Sequence, residues 1–512
     1  MTNGYVLDTS YTDRFFRELS PVWLNYVAAL NGHPPRPITR PFTYLELGCG
    51  FGHSVTVNAG AFPHAAFHAC DINAGHIDAA RSRAAELEIP NVTFHQKSFE
   101  ELLHADLPRF DFITLHGVYS WVDADARRAV REVIDSLLEP GGLVYVSYNC
   151  WPGWAVEVPL RRLLVELTAT GQGSTGQRAE QALEPLAELS NSKLRFFTAH
   201  PAAAAAVQSY VNGPGNYLVH EFLNEAWEPF YSVDVADEMA AIGLTLVGSA
   251  TLADNHDPLA VHDAAAEAVR RLDSPRQRQL AMDFAANRRF RRDVFIRAPR
   301  ARDDAAAGSR AAQAIIGVAG NPERIEAQVT VPRGTIGFRG EFVDDLRALM
   351  ARGATTIGEA VVALSAGRRD PVEITRNLIF MVAGGALMPF ATAGPQRSRA
   401  THRRPANRTV AQVLAFAVEH RATRAIPSQV LGNGVVVNPL EALAISEWLR
   451  GVDGAEALAA RLESEIARLE LYATDEGVTL TTADDVSATA RRVAADVLED
   501  RLPGLIRLGL IE

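Results

Sequence analysis

Three glycines at alternate positions, Gly48, Gly50 and Gly52, follow the acidic Glu46 and enclose Cys49 in the string YLELGCGFG at residues 44–52. A chain without Cβ atoms at those points admits a ligand against its backbone and can take the positive φ of a tight strand-to-helix turn. A dinucleotide fingerprint needs G-x-G-x-x-G, its last glycine allowing close helix packing beneath a pyrophosphate. Here that position is His53. The spacing therefore favours a nucleoside ligand held without a pyrophosphate, or a bare tight turn. About twenty residues on, the apolar run 66–70 ends at Asp71 and Ile72. Asp71 stands where a carboxylate can hold a ribose diol, or where it can cap the helix expected over 76–88.

Those residues need a scaffold, and the surrounding pattern supplies one. Apolar runs at 44–47, 66–70, 92–95, 110–116 and 143–148 read as strands, the last entered through the turn at 139–142. Between them, 53–61, 76–88 and 123–138 carry apolar residues at three-to-four spacing, as helices do. Five such β-α units predict an α/β fold, a doubly wound parallel sheet with right-handed crossovers. Its ligand belongs outside the carboxyl ends of the strands. The clusters HGVYSWV, with His116, Tyr119 and Trp121, and SYNCWPGW, with Tyr148, Asn149 and Trp154, fall at that edge.

The pattern E-x-G-x-G-x-G resembles motif I of the class I S-adenosylmethionine-dependent methyltransferases. A narrower resemblance rests on YTDRFFRELSP (11–21), HGVYSWV (116–122), SYNCWPGW (147–154), YLVHEFLNEAWEPFYS (217–232) and MDFAANRRFRRDVF (282–295). These strings are similar to methyltransferases that carry a methyltransferase regulatory domain, a group that includes rickettsial-type protein lysine methyltransferases acting on outer-membrane proteins. The likeness is dense over residues 5–300 and thin beyond. It implies a Rossmann-like methyltransferase core using S-adenosylmethionine and releasing S-adenosylhomocysteine. In such enzymes the glycine loop, here Glu46, Gly48, Cys49, Gly50 and Gly52, passes beneath the methionine part, while Asp71 and Ile72 meet the ribose and adenine. Ser98 and Phe99 then face the adenine, although many members have Asp where this chain has Ser98. Tyr11, on a helix expected over 11–30, closes over the cofactor together with His116.

For the acceptor side the resemblance implies a desolvating aromatic pocket made from His116, Tyr119, Trp121, Tyr148, Asn149 and Trp154. Aromatic faces stabilise a cation and a dry pocket disfavours a charged amine. His116 reads equally as a base or as a satisfied strand-end histidine, and the aromatics as core packing. The expected activity is methylation of a protein or peptide side-chain nitrogen, lysine foremost. N- or O-methylation of a small natural product is the alternative, with a non-catalytic cofactor-binding scaffold and a nicotinamide oxidoreductase behind it.

Composition narrows the partners. With 512 residues, 47% of them hydrophobic, the chain exceeds one core and divides into several domains. The net charge of −11 opposes nucleic-acid binding, which relies on a basic face. The longest apolar run, 378–390, is too short to span a bilayer, and the start does not resemble a signal peptide, so a cytoplasmic protein is expected. Cys49, Cys70 and Cys150 lack metal-ligand spacing and read as small buried residues, so no metal is expected. Only Lys97 and Lys193 stand against 48 arginines, a bias that coding composition explains. The expected partners are a protein, peptide or small-molecule methyl acceptor and a second copy in a homodimer.

The remaining organisation is coarser. Residues 1–150 read as cap helix and cofactor core, 151–232 as an inserted lid, and 233–300 as the return to the sheet with a regulatory-type domain. Residues 301–395 suggest a winged-helix-like unit with a contact helix at 374–382, better suited to protein than to DNA. Residues 396–512 suggest a helical domain. Within these, 288–292 is expected on a helix with a salt-bridged face, 397–408 as a mobile linker, the stretch after Asp303-Asp304 as another linker, 431–440 as a loop and 455–472 as a helix. His220 and Glu221 line the acceptor site or bond within the lid; Asn224 occupies the position where a zincin helix needs its second histidine.

Overall fold

The computed structural model describes residues 13–212, 221–297, 304–365, 369–395, 402–468, 474–475, 478–479 and 483–512. At its centre is a seven-stranded sheet made of β1 (Thr43–Leu47), β2 (Ala66–Asp71), β3 (Val92–Gln96), β4 (Phe110–Leu115), β5 (Leu138–Asn149), β6 (Leu244–Ser249) and β7 (Phe290–Arg297). The order is β3-β2-β1-β4-β5-β7-β6. The first five strands pair in parallel, and β7 runs antiparallel to both neighbours. The order reverses between β1 and β4, which opens the ligand crevice at their carboxyl ends. This is the Rossmann-like α/β architecture that the strand and helix pattern predicts.

Burial explains the sequence of the central strands. Tyr44 to Leu47 on β1 and Phe112 to Leu115 on β4 are buried on both faces, which requires near-continuous apolar runs. Helix α1 (Pro21–Leu30) is buried almost all round, from Pro21 to Ala29, and is apolar apart from the Tyr26 hydroxyl and Asn25, whose side chain bonds to the Arg36 backbone. Helices α2 (His53–Ala61) and α3 (Ala74–Glu86) follow the first two strands, and the single turn α4 (Phe99–Leu102) follows β3. Helix α5 (Ala124–Leu137) shows the opposite design: it buries Ala126, Ala129, Val130, Val133 and Ile134 along one stripe and is capped by Asp123.

The insertion forms helices Glu157–Ala169, Thr175–Asn191, Arg195–Ala199 and Pro201–Asn212 around its own core, which includes Trp154, Leu164, Leu186 and Phe222. Beyond the sheet come a hairpin (Gln328–Val331 with Gly334–Gly337), helix Gly340–Arg352, strand Gly353–Thr356, helices Ile357–Ser365 and Pro371–Ala383, and strands Met388–Pro389 and Gly394–Pro395. Helix Pro371–Ala383 buries Ile374, Leu378, Met381 and Val382.

Several sequence expectations need correction. Arg291 and Arg292 lie on strand β7, not on a helix, because intramolecular carboxylates neutralise a charged strand. The stretch after Asp303 is a helix, Asp304–Gln313. Residues 431–440 are not a loop: Asn433–Val437 pairs with Arg424–Ser428 in a hairpin, and helix Pro439–Leu449 starts immediately after. Residues 139–142 belong to β5, with a register shift opposite. The described part of 397–408 is anchored, since Arg403, Arg404 and Arg408 pair with Asp453, Glu512 and Glu88. The expected helix 455–472 is Ala455–Arg468 among the described residues. In place of one helix from residue 11, residues 13–16 form an extended strap before a short turn and α1. Tyr11 and His220 lie outside the described residues.

Candidate active site

All three glycines of the β1 turn have left-handed backbones, with φ of 70° at Gly48, 53° at Gly50 and 66° at Gly52. Their surroundings differ. A Cβ on Gly48 would fall 2.5 Å from the Val118 side chain, and one on Gly52 would fall 2.8 Å from Ala80 and Phe94; one on Gly50 would meet no atom within 4 Å. Two glycines thus permit close packing and the third faces open space. The Gly50 amide donates to Asp71 Oδ2 and the Asn73 amide to Asp71 Oδ1, both at 2.9 Å. Asn73, not Asp71, caps α3 by accepting from Gly75 N. Asp71 therefore ties the end of β2 to the glycine turn. Next to it Ile72, a large apolar residue, is 37% exposed.

Glu46 supplies the strongest electrostatic signal. It is buried, its Oε2 has no hydrogen-bond partner, and burial pushes its carboxyl up to about 8. A buried carboxyl oxygen with spare accepting capacity, beside backbone with open space, fits a ligand that brings its own ammonium group. The neighbouring thiols are inert by contrast: burial raises Cys49 well above the usual range and Cys70 to about 12. Ser98 accepts from Glu101 N in a capping box, which leaves its O–H as the donor for any ligand; Phe99 packs partly against the core.

The acceptor-side candidates divide. Tyr119 and Tyr148 lie in the core on the α5 face of the sheet, flanking Phe230. The Tyr119 hydroxyl donates to Glu238 and accepts from Arg131, and Tyr148 donates to Asp293 at 2.5 Å. Neither phenol reaches the crevice as a free group. Trp121 is buried and its amide closes a turn onto Val118 O. His116 is a satisfied strand-end residue, with Nδ1 2.8 Å from the Tyr145 hydroxyl and the Phe16 ring tilted against it, centroids 3.8 Å apart. Burial, aided by Arg292, drops its pKa to about 3, so it stays neutral and is too weak a base to deprotonate an amine.

Asn149 and Trp154 stand in a different setting at the end of β5. Asn149 is fixed by Ser120 Oγ on its amide and by Phe230 N on its carbonyl, and its Nδ2 donates to Glu221 Oε1 at 3.0 Å. Burial raises the Glu221 carboxyl, against the lowering effect of that bond. Trp154 donates to Arg289 O and packs edge-on against Trp227 at 4.9 Å. The structure also brings in Asp13, Phe16, Arg83 and Arg424, described below. Asp13 and Phe16 sit in the N-terminal string, but no local pattern marks Arg83 or Arg424.

Comparison with known proteins agrees with this geometry. Residues 45–144 match a methyltransferase domain and residues 214–297 match the predicted methyltransferase regulatory domain. An uncharacterised Synechocystis protein, sll1526, is 31% identical over 99% of both chains. The uncharacterised Rickettsia prowazekii protein RP789 is 27% identical over 48% of this chain and 44% of its own. The structure of PKMT2 from Rickettsia typhi in complex with AdoHcy superposes with a TM-score of 0.71 at 18% identity, covering 98% of this chain and all of that one. The chain belongs to the S-adenosylmethionine-dependent methyltransferases that carry a methyltransferase regulatory domain.

Proposed function

We propose that the methyl acceptor is a side-chain nitrogen of a protein or peptide, lysine above all. The observation that carries this reading is the Asn149–Glu221 pair beside the Trp154–Trp227 aromatic wall, at the carboxyl end of β5. A buried carboxylate attracts an alkylammonium group and strips its water, beside a wall whose Trp154 and Trp227 rings already hold the guanidiniums of Arg289 and Arg161. Glu46, Gly48, Cys49, Gly50 and Gly52 would hold the cofactor's methionine part, with Asp71 and Ile72 on the ribose and adenine side and Ser98 and Phe99 beyond. When bound, S-adenosylmethionine supplies the electrophilic methyl carbon.

What remains for the chain is to align and deprotonate the acceptor. Freeing an amine of pKa near 10.4 at neutral pH costs roughly 4 to 5 kcal/mol, and fixed orientation can offset about 7 to 11 kcal/mol of the barrier. Glu221, its basicity raised by burial, takes the proton, and Asn149 holds Glu221 in place. The likeness in fold to PKMT2 along the full chain supports a protein acceptor. Residues 301–395 would form a winged-helix-like unit, its expected contact helix packed inward through Ile374, Leu378, Met381 and Val382, and 396–512 a further domain in a cytoplasmic enzyme; among the described residues no helix is long and apolar enough to cross a membrane.

Incubation with labelled cofactor and candidate proteins, followed by mass spectrometry, tests the reading. Label on lysine is expected, with Glu221→Gln reducing turnover on the same acceptor about 100-fold. Label found only on a small metabolite rejects the protein acceptor.

A further inference from the structure

The strap at residues 13–16 joins the glycine turn to the far end of the chain. Asp13 sits among three basic groups: Arg83 of α3, with Nη2 at 2.5 Å and Nη1 at 3.2 Å, His53 at the start of α2 at 3.5 Å, and Arg424 at 3.3 Å. Arg83 Nη1 also donates to the Phe51 carbonyl, inside the glycine turn, at 2.9 Å. Arg424 belongs to the Arg424–Ser428 strand of the C-terminal hairpin, and its side chain is only 12% exposed. Burial would raise the Asp13 carboxyl, but His53 and Arg83 outweigh it and hold the group ionised.

The same hairpin grips the strap and the turn before α1 through neutral contacts. Asn433 Nδ2 donates to Arg17 O at 3.0 Å, and Ser20 Oγ donates to Gly432 O at 2.6 Å. Gly434 approaches so closely that a Cβ there would lie 2.8 Å from the Phe15 ring. Toward the crevice, Phe16 N donates to Ser54 Oγ at 3.0 Å and the Phe16 ring packs at a tilt against His116, next after β4.

We propose that Arg424 is a positioning residue for cofactor binding: acting through Asp13, the C-terminal hairpin holds the strap against the glycine turn, so the cofactor site is complete only when that domain is docked. A buried guanidinium and carboxylate fix each other because separating them strands a charge. The strap and Phe51 share Arg83, so loosening one end frees the other. The ligand concerned is an adenosyl sulfonium or its thioether product, and the inference is independent of which acceptor is methylated.

Calorimetric titration of the full chain with S-adenosylhomocysteine tests it. Arg424→Ala is expected to weaken binding about tenfold, within the usual range of coupling between sites. Arg424→Lys keeps the charge but not the planar fork, and should recover part of the loss. Hydrogen exchange at residues 14–20 should speed up in Arg424→Ala and slow again when the ligand is added. Affinity within twofold of the parent in Arg424→Ala overturns the proposal, even if the melting temperature falls. Should that variant not fold, Asn433→Ala removes the bond to the Arg17 carbonyl together with a local one from the Gly434 amide; about threefold weaker binding supports the proposal and unchanged binding overturns it.

Discussion

Beside Glu46 the wall of the crevice is mainly backbone: three left-handed glycines, one of them facing open space, and a carboxyl whose Oε2 has no partner. Beside Tyr148 the wall is a lattice of charges. Asp283, fully buried, accepts from Ser232 and pairs with Arg288 and Arg291, while Asp293 pairs with Arg291 and accepts from Tyr148. The first end keeps a carboxyl oxygen without a partner, whereas at the second both carboxylates are paired with arginine. Spare capacity marks where a ligand completes the structure, whereas saturation marks where the protein must stay rigid to aim one.

The largest effect that would sharpen this contrast is a pH dependence. The folded pKa of Glu46, about 8, exceeds its unfolded value of 4.5, so the folded state binds the extra proton between those limits. Stability of the ligand-free protein should fall as pH rises from about 4.5 to 8, by up to about 5 kcal/mol at about 1.36 kcal/mol per unit. Urea midpoints across that range check it, and Glu46→Gln should flatten the curve. At the saturated end, Asp283→Ala leaves two buried arginines short of a carboxylate and should cost about 3 to 5 kcal/mol by denaturant unfolding; a loss below about 1 kcal/mol would break the comparison.

Smaller effects separate the glycines from the carboxylate. Gly48→Ala combines a strained φ with the Val118 clash and should destabilise the fold by about 2 to 3 kcal/mol. Gly50→Ala meets no atom and should cost about 1 to 2 kcal/mol of stability while blocking S-adenosylhomocysteine binding by calorimetry. Asp71→Ala should weaken that binding about tenfold, close to 1.4 kcal/mol. Equal affinity in Gly50→Ala and the parent would mean the open space is not where the ligand lies.

What was legible in the sequence follows the same division. The glycine turn, Asp71 and strands β1 to β4 are encoded in contiguous residues, where spacing and apolar runs report the backbone directly. Strand β7 is not: FRRDVFIR carries charges whose partners, Asp283 and Asp135 among them, come from elsewhere in the chain, so its pattern resembles a solvated helix. The hairpin 424–437 hides for a related reason. Asn433 and Gly434 look like turn residues but serve a bond to Arg17 and a close approach to Phe15 and Val57. Tyr119 and Tyr148 face the opposite side of the sheet from Tyr145 and Asn149, which strand alternation explains for β5. A strand-end aromatic cluster read from sequence does not reveal which face each ring takes.

Strand β7 also dictates how the enzyme can be taken apart. It pairs with β5 along seven residues, Leu143 to Asn149, yet lies inside the stretch matched as regulatory rather than the one matched as methyltransferase. A fragment cut at the latter boundary, residue 144, would sever β5 itself and lose most of the seven residues that pair with β7. Any minimal module intended for crystallography or engineering must therefore run through Arg297, and the so-called regulator is inseparable plumbing of the catalytic body.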